Sequence, residues 1–438
     1  MEAVDTLIHA AWIVPVEPAG DVLEGHSLAI DGGRIAAIVP RAEAARFRPR
    51  VELDLPRHVL IPGLVNAHTH AAMSLMRGLA DDLPLMEWLE QHIWPAEQKW
   101  VGAEFVRDGS LLACAEMLRS GTTCFNDMYF FPEETAEAAE QAHVRAVLGM
   151  IVIDFPSAWA AGPDEYLHKG MALHDRLKGH PLLSTAFAPH APYTVADEVL
   201  EKVVMFAEEL DVPVHMHVHE TAGEVERARR EHGRRPLARL EALGLLGPRL
   251  AAVHMTQLTD GEIARCAEAA VNVIHCPESN LKLASGFCPV ARLLAADVNV
   301  ALGTDGAASN NDLDMVGEMR SAALLGKAVA DDAAALPAHR VLHMATLGGA
   351  RALGLDADIG SLVPGKAADI AAVDLGPLET QPVYHPVSQL VYSATRDHVT
   401  DVWVGGRHVL KERRLTTVDE AHLADRARHW RMKLAGLA

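Results

Sequence analysis

Short apolar runs alternate with amphipathic stretches through the middle of the chain, from about residue 59 to residue 355. Each run suits one buried β-strand, and the intervening stretches, such as 103–119, 196–209 and 261–269, have helical apolar spacing. Eight runs have this character: 59–65, 122–126, 145–153, 182–188, 212–218, 250–254, 271–274 and 298–302. This pattern predicts a parallel (β/α)8 barrel of the TIM type. The alternative is an open, doubly wound sheet, but no G-x-G-x-x-G or Walker A motif supports it.

Both ends of the chain have a β-like pattern. Before the barrel, Asp31-Gly32-Gly33 lies between two apolar runs and predicts a hairpin. After the barrel, Gly405-Gly406 predicts a second hairpin turn, and a helix is expected from about Val418. We therefore predict a small composite β-sandwich domain formed by residues 1–58 and 356–438, beside a catalytic barrel formed by residues 59–355.

Charge and length exclude several classes of protein. The chain has 438 residues, of which 39 are basic and 59 acidic, and its net charge of −20 argues against a nucleic-acid partner. Its N-terminus has no basic leader, and no apolar run approaches the ~18 residues of a membrane helix. We expect a cytoplasmic protein that acts on a small molecule.

Cysteine content narrows the kind of metal site that the chain can form. The five cysteines are an odd number without a C-x-x-C pair, so neither a disulfide framework nor a thiolate zinc site is indicated. The 24 histidines and the carboxylates are the remaining ligand types. Any metal is therefore expected at a nitrogen and oxygen site.

Histidines and carboxylates follow the predicted strands, at the end of the barrel where active sites are built. His68 and His70 alternate at the end of the first strand, so their side chains can reach one ion. The fifth strand ends in H-M-H-V-H-E (215–220), where we expect one ligand, the other histidines packing or forming hydrogen bonds. His254 ends the sixth strand and Asp305 follows the eighth.

Together these residues suit a catalytic ion that keeps one position open for water. Glu220, just beyond the fifth strand, is the candidate general acid and base. Each residue also has a structural interpretation. His254 suits the core, Asp305 suits a turn, and Glu220 suits a helix N-terminus.

Five motifs resemble those of the amidohydrolase superfamily, specifically its chlorohydrolase and adenosine-type deaminase branch. They follow the family's order: PGLVNAHTH (62–70), HVHET (217–221), HCPESNLKL (275–283), GTDG (303–306) and GSLVPGKAAD (360–369). The resemblance implies a metal-bearing (β/α)8 barrel with a composite β-sandwich from both termini.

The resemblance also implies a role for each matching residue. His68, His70, His217 and Asp305 match the metal ligands; Glu220 matches the proton-shuttling glutamate that also contacts the substrate, and His254 matches the histidine that holds the reactive water. Asp305 is expected to move protons as well. Relatives with two metals carry a lysine on the fourth strand, whereas residues 182–194 contain none. This favours one divalent ion per subunit, zinc or else iron.

Within this branch the sequence fits best with deaminases of 5′-methylthioadenosine and S-adenosylhomocysteine. Glu97 matches their ribose-contacting glutamate, and His190 matches a histidine that contacts the substrate. Relatives that accept S-adenosylhomocysteine offer an arginine to its carboxylate, but residues 148–161 contain no arginine. Apolar residues that suit a methylthio tail are present instead: Leu75, Met76, Trp88, Trp94, Phe155, Pro156 and Trp159.

The resemblance thus implies hydrolysis of an adenosine-type nucleoside to its inosine analogue and ammonia by a homo-oligomer. 5′-Methylthioadenosine is favoured, with S-adenosylhomocysteine and adenosine left open. One alternative is a guanine, pyrimidine or triazine deaminase or chlorohydrolase of the same superfamily. Another is a metal-free barrel that serves as an interaction scaffold, although the four matching ligands argue against it.

Overall fold

The computed structural model describes residues 1–436 and contains two sheets, one of eight and one of nine strands. The strands before the barrel are β1 (Glu2–Ile13), β2 (Leu23–Glu24), β3 (His26–Asp31), β4 (Arg34–Pro40) and β5 (Phe47–Pro62). The barrel strands are β6 (Leu64–Thr69), β7 (Thr122–Asp127), β8 (Arg145–Val152), β9 (Leu183–Pro189), β10 (Val214–Val218), β11 (Leu250–His254), β12 (Asn272–His275) and β13 (Asn299–Leu302). The last strands are β14 (Ile370–Asp374), β15 (Val399–Val404), β16 (Arg407–Lys411) and β17 (Arg414–Leu415).

Strands β6 to β13 form the predicted barrel. Each pairs in parallel with the next one along the chain. A parallel bridge between Thr69 and Asp305 joins the first strand to the segment after the eighth. The (β/α)8 architecture is therefore confirmed, and the open sheet is excluded.

Helices surround the barrel and close the chain. They are α1 (Leu85–Trp88), α2 (Trp94–Trp100), α3 (Ala103–Arg119), α4 (Pro132–Ala142), α5 (Pro163–Leu177), α6 (Asp197–Leu210), α7 (Ala222–His232), α8 (Pro236–Ala242), α9 (Asp260–Glu268), α10 (Pro277–Lys282), α11 (Val290–Ala295), α12 (Ala307–Asn310), α13 (Met315–Ala330), α14 (Ala338–His343), α15 (Gly349–Ala352), α16 (Pro386–Tyr392) and α17 (Glu420–Leu434). The three predicted helices correspond to α3, α6 and α9, within one residue at each end. Within residues 1–436, no helix has the length and apolar character needed to cross a membrane.

The nine-stranded sheet contains strands from both ends of the chain. Its centre is an antiparallel pair of β5 and β14, in which Ile370 lies opposite Pro62. Side chains from the two halves share one apolar core, for example Ile8 and Leu28 with Ile370 and Trp403. The composite terminal domain is thus confirmed as an architecture.

The predicted first barrel strand is divided between the two sheets. Residues 59–62 belong to β5, and the barrel begins only at Leu64. Gly63 lies at the crossing, where a Cβ atom would collide with the side chain of Thr123. We therefore propose Gly63, rather than residues 58 and 59, as the first boundary between the domains. The earlier part of β5 was not predicted because Pro49 and Pro56 interrupt its pattern.

Candidate active site

Four side chains that could ligate a metal meet at the C-terminal end of the barrel. His68 lies in β6, His70 follows it, His217 lies in β10, and Asp305 follows β13. One ligand atom from each lies within 4.8 Å of the others. The Asp305 Oδ1 atom is 3.2 Å from the Nε2 atom of both His68 and His70, and the Nε2 atoms of His217 and His68 are also 3.2 Å apart. The structure thus brings together the four residues that the sequence assigned to a metal. We call these four residues the metal-type cluster.

The opposite nitrogen of each imidazole has its own partner. Nδ1 of His70 lies 2.6 Å from the carbonyl oxygen of Met128, and Nδ1 of His217 lies 2.8 Å from that of His190, so each donates a hydrogen bond. Nδ1 of His68 lies 2.8 Å from Nε2 of His215. Nε2 is therefore the nitrogen of each imidazole that faces the other ligands. Such an arrangement is stable when a cation lies between them.

The spacing of these atoms agrees with a tetrahedral ion. Donors around an ion with bonds of about 2.0–2.1 Å lie about 3.3–3.4 Å apart. Three of the six donor separations are 3.2 Å, close to this value, and all six lie within 4.8 Å. Imidazole nitrogen and carboxylate oxygen suit a divalent transition metal, so the donor set fits the ion that the sequence predicts.

Burial and proximity set the charges in the cluster. Burial lowers the pKa of His68 to about 4 and that of His217 well below its ordinary value, so both imidazoles are neutral. Burial opposes ionisation of Asp305, but His68 and His70 outweigh it and hold the pKa of Asp305 well below its usual range. Burial also lowers the pKa of His70, whereas Asp305 raises it to about 9 overall. Asp305 thus favours the protonated form of His70, with which a bound cation would compete.

Asp305 is fixed by donors to which the sequence analysis assigned no role, although Ser279 and Gly306 lie within its motifs. The hydroxyl groups of Ser279 and Ser309 donate to its Oδ2 atom over 2.6 and 2.9 Å. The amide of Gly306 donates to Oδ1 over 2.8 Å. The backbone of Asp305 has a φ of +63°, in the left-handed region that non-glycine residues rarely adopt. Together these contacts hold the carboxylate in one orientation despite the strained backbone.

Glu220 and His254 lie beside the cluster. The Glu220 carboxylate is 3.9 Å from His254 Nε2, and burial raises the pKa of this carboxyl group. The Glu220 amide donates to the Glu224 carboxylate over 2.7 Å, and the Glu220 carbonyl accepts from the Thr256 hydroxyl over 2.7 Å. Nδ1 of His254 donates to Asn280 Oδ1 over 2.9 Å, which orients the ring. The backbone of Glu220 and the ring of His254 are thus held at defined positions.

The three alternating histidines at the end of β10 have different surroundings. His217 joins the metal-type cluster, and His215 supports His68 from the buried side. The strict alternation fails at His219, whose φ is +55° and whose Nε2 atom accepts a hydrogen bond from the Leu237 amide over 3.1 Å. His219 therefore does not share the face of His215 and His217, and the expectation of one ligand in this segment agrees with the structure.

A cavity opens above the cluster. Its polar lining consists of His70, Glu97, His190, Tyr193, His217, Glu220, His254, Asp305 and Ser309. The apolar lining consists of Met73, Leu85, Trp88, Leu89, Trp94, Met128, Tyr129, Phe130, Ile151, Ile153, Phe155 and Leu283. Every site residue named from the sequence lines this cavity except His68, which is completely buried beneath it.

The two predicted substrate contacts differ in their local support. Nδ1 of His190 lies 3.0 Å from the Thr194 hydroxyl, and burial lowers the pKa of this imidazole to about 3. Glu97 lies on α2 and accepts a hydrogen bond from the Tyr129 hydroxyl over 2.7 Å. Burial raises the pKa of Glu97 to about 7, although the Tyr129 hydrogen bond opposes this shift. Tyr129 was not identified from the sequence, because no motif marks its contact with a residue 32 positions earlier.

The apolar residues assigned to a substrate tail are only partly in place. Trp88, Trp94 and Phe155 line the cavity, whereas Leu75, Met76, Pro156 and Trp159 do not. Trp159 is buried instead, and its indole donates to Glu133 over 3.0 Å. Among the described residues, the lining includes no lysine or arginine.

Comparisons with known proteins agree with this site. The chain is 52% identical, over 98% of its length and 98% of the relative's, to a 5-methylthioadenosine/S-adenosylhomocysteine deaminase from Teredinibacter turnerae. It is 50% identical to a protein of the same name from Saccharophagus degradans, over 98% and 97% of the two chains.

A solved structure is also similar over nearly the whole chain. It is an adenosine deaminase from Xanthomonas campestris with bound zinc, with a TM-score of 0.98, 56% identity and 99% coverage of both chains. The pattern of the amidohydrolase family matches residues 59–409, which include the whole metal-type cluster. This chain belongs to the amidohydrolase family.

Proposed function

We propose that the protein is a zinc-dependent aminohydrolase that converts 5′-methylthioadenosine to its inosine analogue and ammonia, with S-adenosylhomocysteine and adenosine as further substrates. One observation carries this proposal. Three of the four candidate metal ligands, Glu220, His254 and the separate Glu97 carboxylate line one cavity, and the fourth ligand, His68, is buried beneath it. The names of the relatives at 50–52% identity support the substrate class.

The residues around the cluster divide the chemistry between them. When bound, the divalent ion lowers the pKa of a water molecule and supplies a nucleophile near neutral pH. We assign Glu220 to take one proton from the water and deliver it to purine N1, while the water oxygen bonds to C6 and the C6=N1 double bond becomes single. Asp305 takes the second water proton and passes it to the C6 amino group, whose bond to C6 breaks, so that ammonia leaves and a C6 carbonyl forms. His254, 3.9 Å from Glu220, stabilises the oxygen that becomes attached to C6.

Recognition of the nucleoside is assigned to the other polar groups. A carboxylate can accept two hydrogen bonds, and Glu97 would accept them from the ribose hydroxyls. His190 would contact the purine. The apolar side chains of Trp88 and Phe155 favour an uncharged tail, because a carboxylate placed there would lose solvation without gaining a cation.

Ammonia release from a panel of substrates tests the proposed function. The metal-replete enzyme should deaminate 5′-methylthioadenosine with the highest kcat/KM, followed by adenosine and S-adenosylhomocysteine. Faster release from guanine or cytosine, or no release from any nucleoside, would overturn the assignment.

Metal analysis of the same sample tests zinc against iron. Sedimentation tests the predicted homo-oligomer, and fractionation of cells tests the predicted cytoplasmic location.

A further inference from the structure

Tyr129 forms the hydrogen bond that links Glu97 to the barrel. Tyr129 follows β7, its side chain is 4% exposed, and its hydroxyl lies 2.7 Å from Glu97 Oε1. Within residues 1–436, no other hydrogen bond reaches the Glu97 carboxylate. The second carboxylate oxygen therefore stays available to a ligand in the cavity.

Apolar packing holds the helix that carries Glu97. None of the seven residues of α2, Trp94–Trp100, is fully buried, but some of them pack partly against an apolar cluster. The residues just before α2 are helical as well, and Trp88 and Ile93 among them are buried in that cluster. The packing therefore places the helix, and the hydrogen bond from Tyr129 sets the orientation of the Glu97 carboxylate.

The residue before Tyr129 supports the metal-type cluster. The Met128 carbonyl oxygen accepts the hydrogen bond from Nδ1 of His70 over 2.6 Å. Two consecutive residues thus hold a metal ligand and the carboxylate assigned to the ribose. This arrangement fixes the distance between the two ends of the site, which must match the distance between C6 and the ribose hydroxyls of the substrate.

We propose that Tyr129 is a positioning residue that makes the enzyme selective for nucleosides with an intact 2′,3′-diol. Its hydroxyl orders one oxygen of Glu97 and leaves the other free for the diol. This inference rests on the proposed function, because it takes the ribose as the ligand of Glu97. The Tyr129 ring also packs beside Phe130, with 5.5 Å between the ring centroids. If Tyr129 were purely structural, its loss would affect the turnover of substrates with and without the diol equally.

The test compares adenosine with 2′,3′-dideoxyadenosine in the Y129F and E97Q variants. Y129F should raise KM for adenosine about 5- to 10-fold, the effect expected from one hydrogen bond, with kcat within about twofold. For dideoxyadenosine, KM and kcat of Y129F should stay within about twofold of the wild-type values. The Y129F/E97Q double variant should be no worse on adenosine than E97Q, because both changes remove the same interaction.

Y166F is the matched control. Tyr166 is also completely buried, but it lies outside the cavity lining and its hydroxyl donates to the Phe155 carbonyl oxygen. Any change that Y166F causes should be equal for the two substrates.

Three results would overturn the role of Tyr129: equal losses on both substrates, no loss on either, or additive losses in the double variant. Failure of the proposed function is a separate outcome, since wild-type enzyme would then release no ammonia from adenosine.

Discussion

The two ends of the cavity differ in how their side chains are held. We call them the metal end, beside the four candidate ligands, and the tail end, where the apolar side chains assigned to the substrate tail lie. At the metal end, strand termini supply the side chains, and each imidazole and Asp305 has a second hydrogen-bonding partner. At the tail end, apolar side chains come from the segment between β6 and α3 and from the loop after β8; Phe155 is 45% exposed. Reaction chemistry requires fixed positions, whereas a hydrophobic surface tolerates different ligand shapes. We therefore propose that catalysis takes place at the metal end and that the tail end sets specificity.

The largest effect is expected from the proton carrier at the metal end. Glu220→Gln keeps the side-chain shape but removes the titrating group, so kcat should fall about 10³- to 10⁴-fold with metal content and fold retained. Ammonia release and metal analysis measure the two quantities. Glu226→Gln, an exposed change on α7, is the control and should leave kcat unchanged. Near-normal turnover by metal-replete Glu220→Gln enzyme would refute the assigned role.

A smaller effect is expected from a residue that supports a metal ligand from the buried side of the cluster. His215 contacts His68 Nδ1, so His215→Leu should weaken metal binding about 10- to 100-fold, the usual cost of losing such a supporting contact. Competition with a chelator measures this loss. His219→Leu provides the contrast, because His219 bonds the Leu237 amide instead and its loss should reduce stability without changing metal affinity. Equal metal affinities in wild-type and His215→Leu proteins would show that the metal end does not need this support.

At the tail end, a substitution should change the preference rather than the chemistry. Phe155→Arg introduces a cation into a lining without lysine or arginine. The ratio of kcat/KM for S-adenosylhomocysteine to that for 5′-methylthioadenosine should rise about 10-fold, equivalent to about 1.4 kcal/mol. Phe287→Arg alters an exposed phenylalanine outside the lining and should leave this ratio unchanged. An unchanged ratio in Phe155→Arg would place the tail elsewhere.

The same contrast explains what the sequence predicted well. The ligand histidines and Asp305 end buried strands, and strand ends can be located from hydrophobic runs because the barrel repeats one unit eight times. The tail end offers no such repeat. Trp88 and Trp159 have equally suitable side chains, but only Trp88 reaches the cavity, since the paths of the intervening loops decide the outcome.

Other misses have equally local causes. A single apolar run continues from β5 through Gly63 into β6. The pattern of apolar residues is the same on both sides of Gly63, so it does not mark the point where the chain passes from one sheet to the other. The turn of His219 away from its neighbours depends on a left-handed backbone, which alternation does not predict. Contacts such as Tyr129 with Glu97 join segments that are distant in sequence, so they become visible only in the folded chain.

The smallest predicted effect is a pH dependence confined to ribose recognition. Burial raises the pKa of Glu97 to about 7, so its carboxyl group gains a proton as the pH falls from about 8 to about 6. A protonated carboxyl group accepts fewer hydrogen bonds, and KM for adenosine should therefore rise about three- to fivefold over this range. The KM ratio of adenosine to 2′,3′-dideoxyadenosine cancels any titration at the metal end, which both substrates share. In Glu97→Gln this ratio should not vary with pH. A flat ratio in the wild-type enzyme would mean that Glu97 does not recognise the ribose through its ionised form.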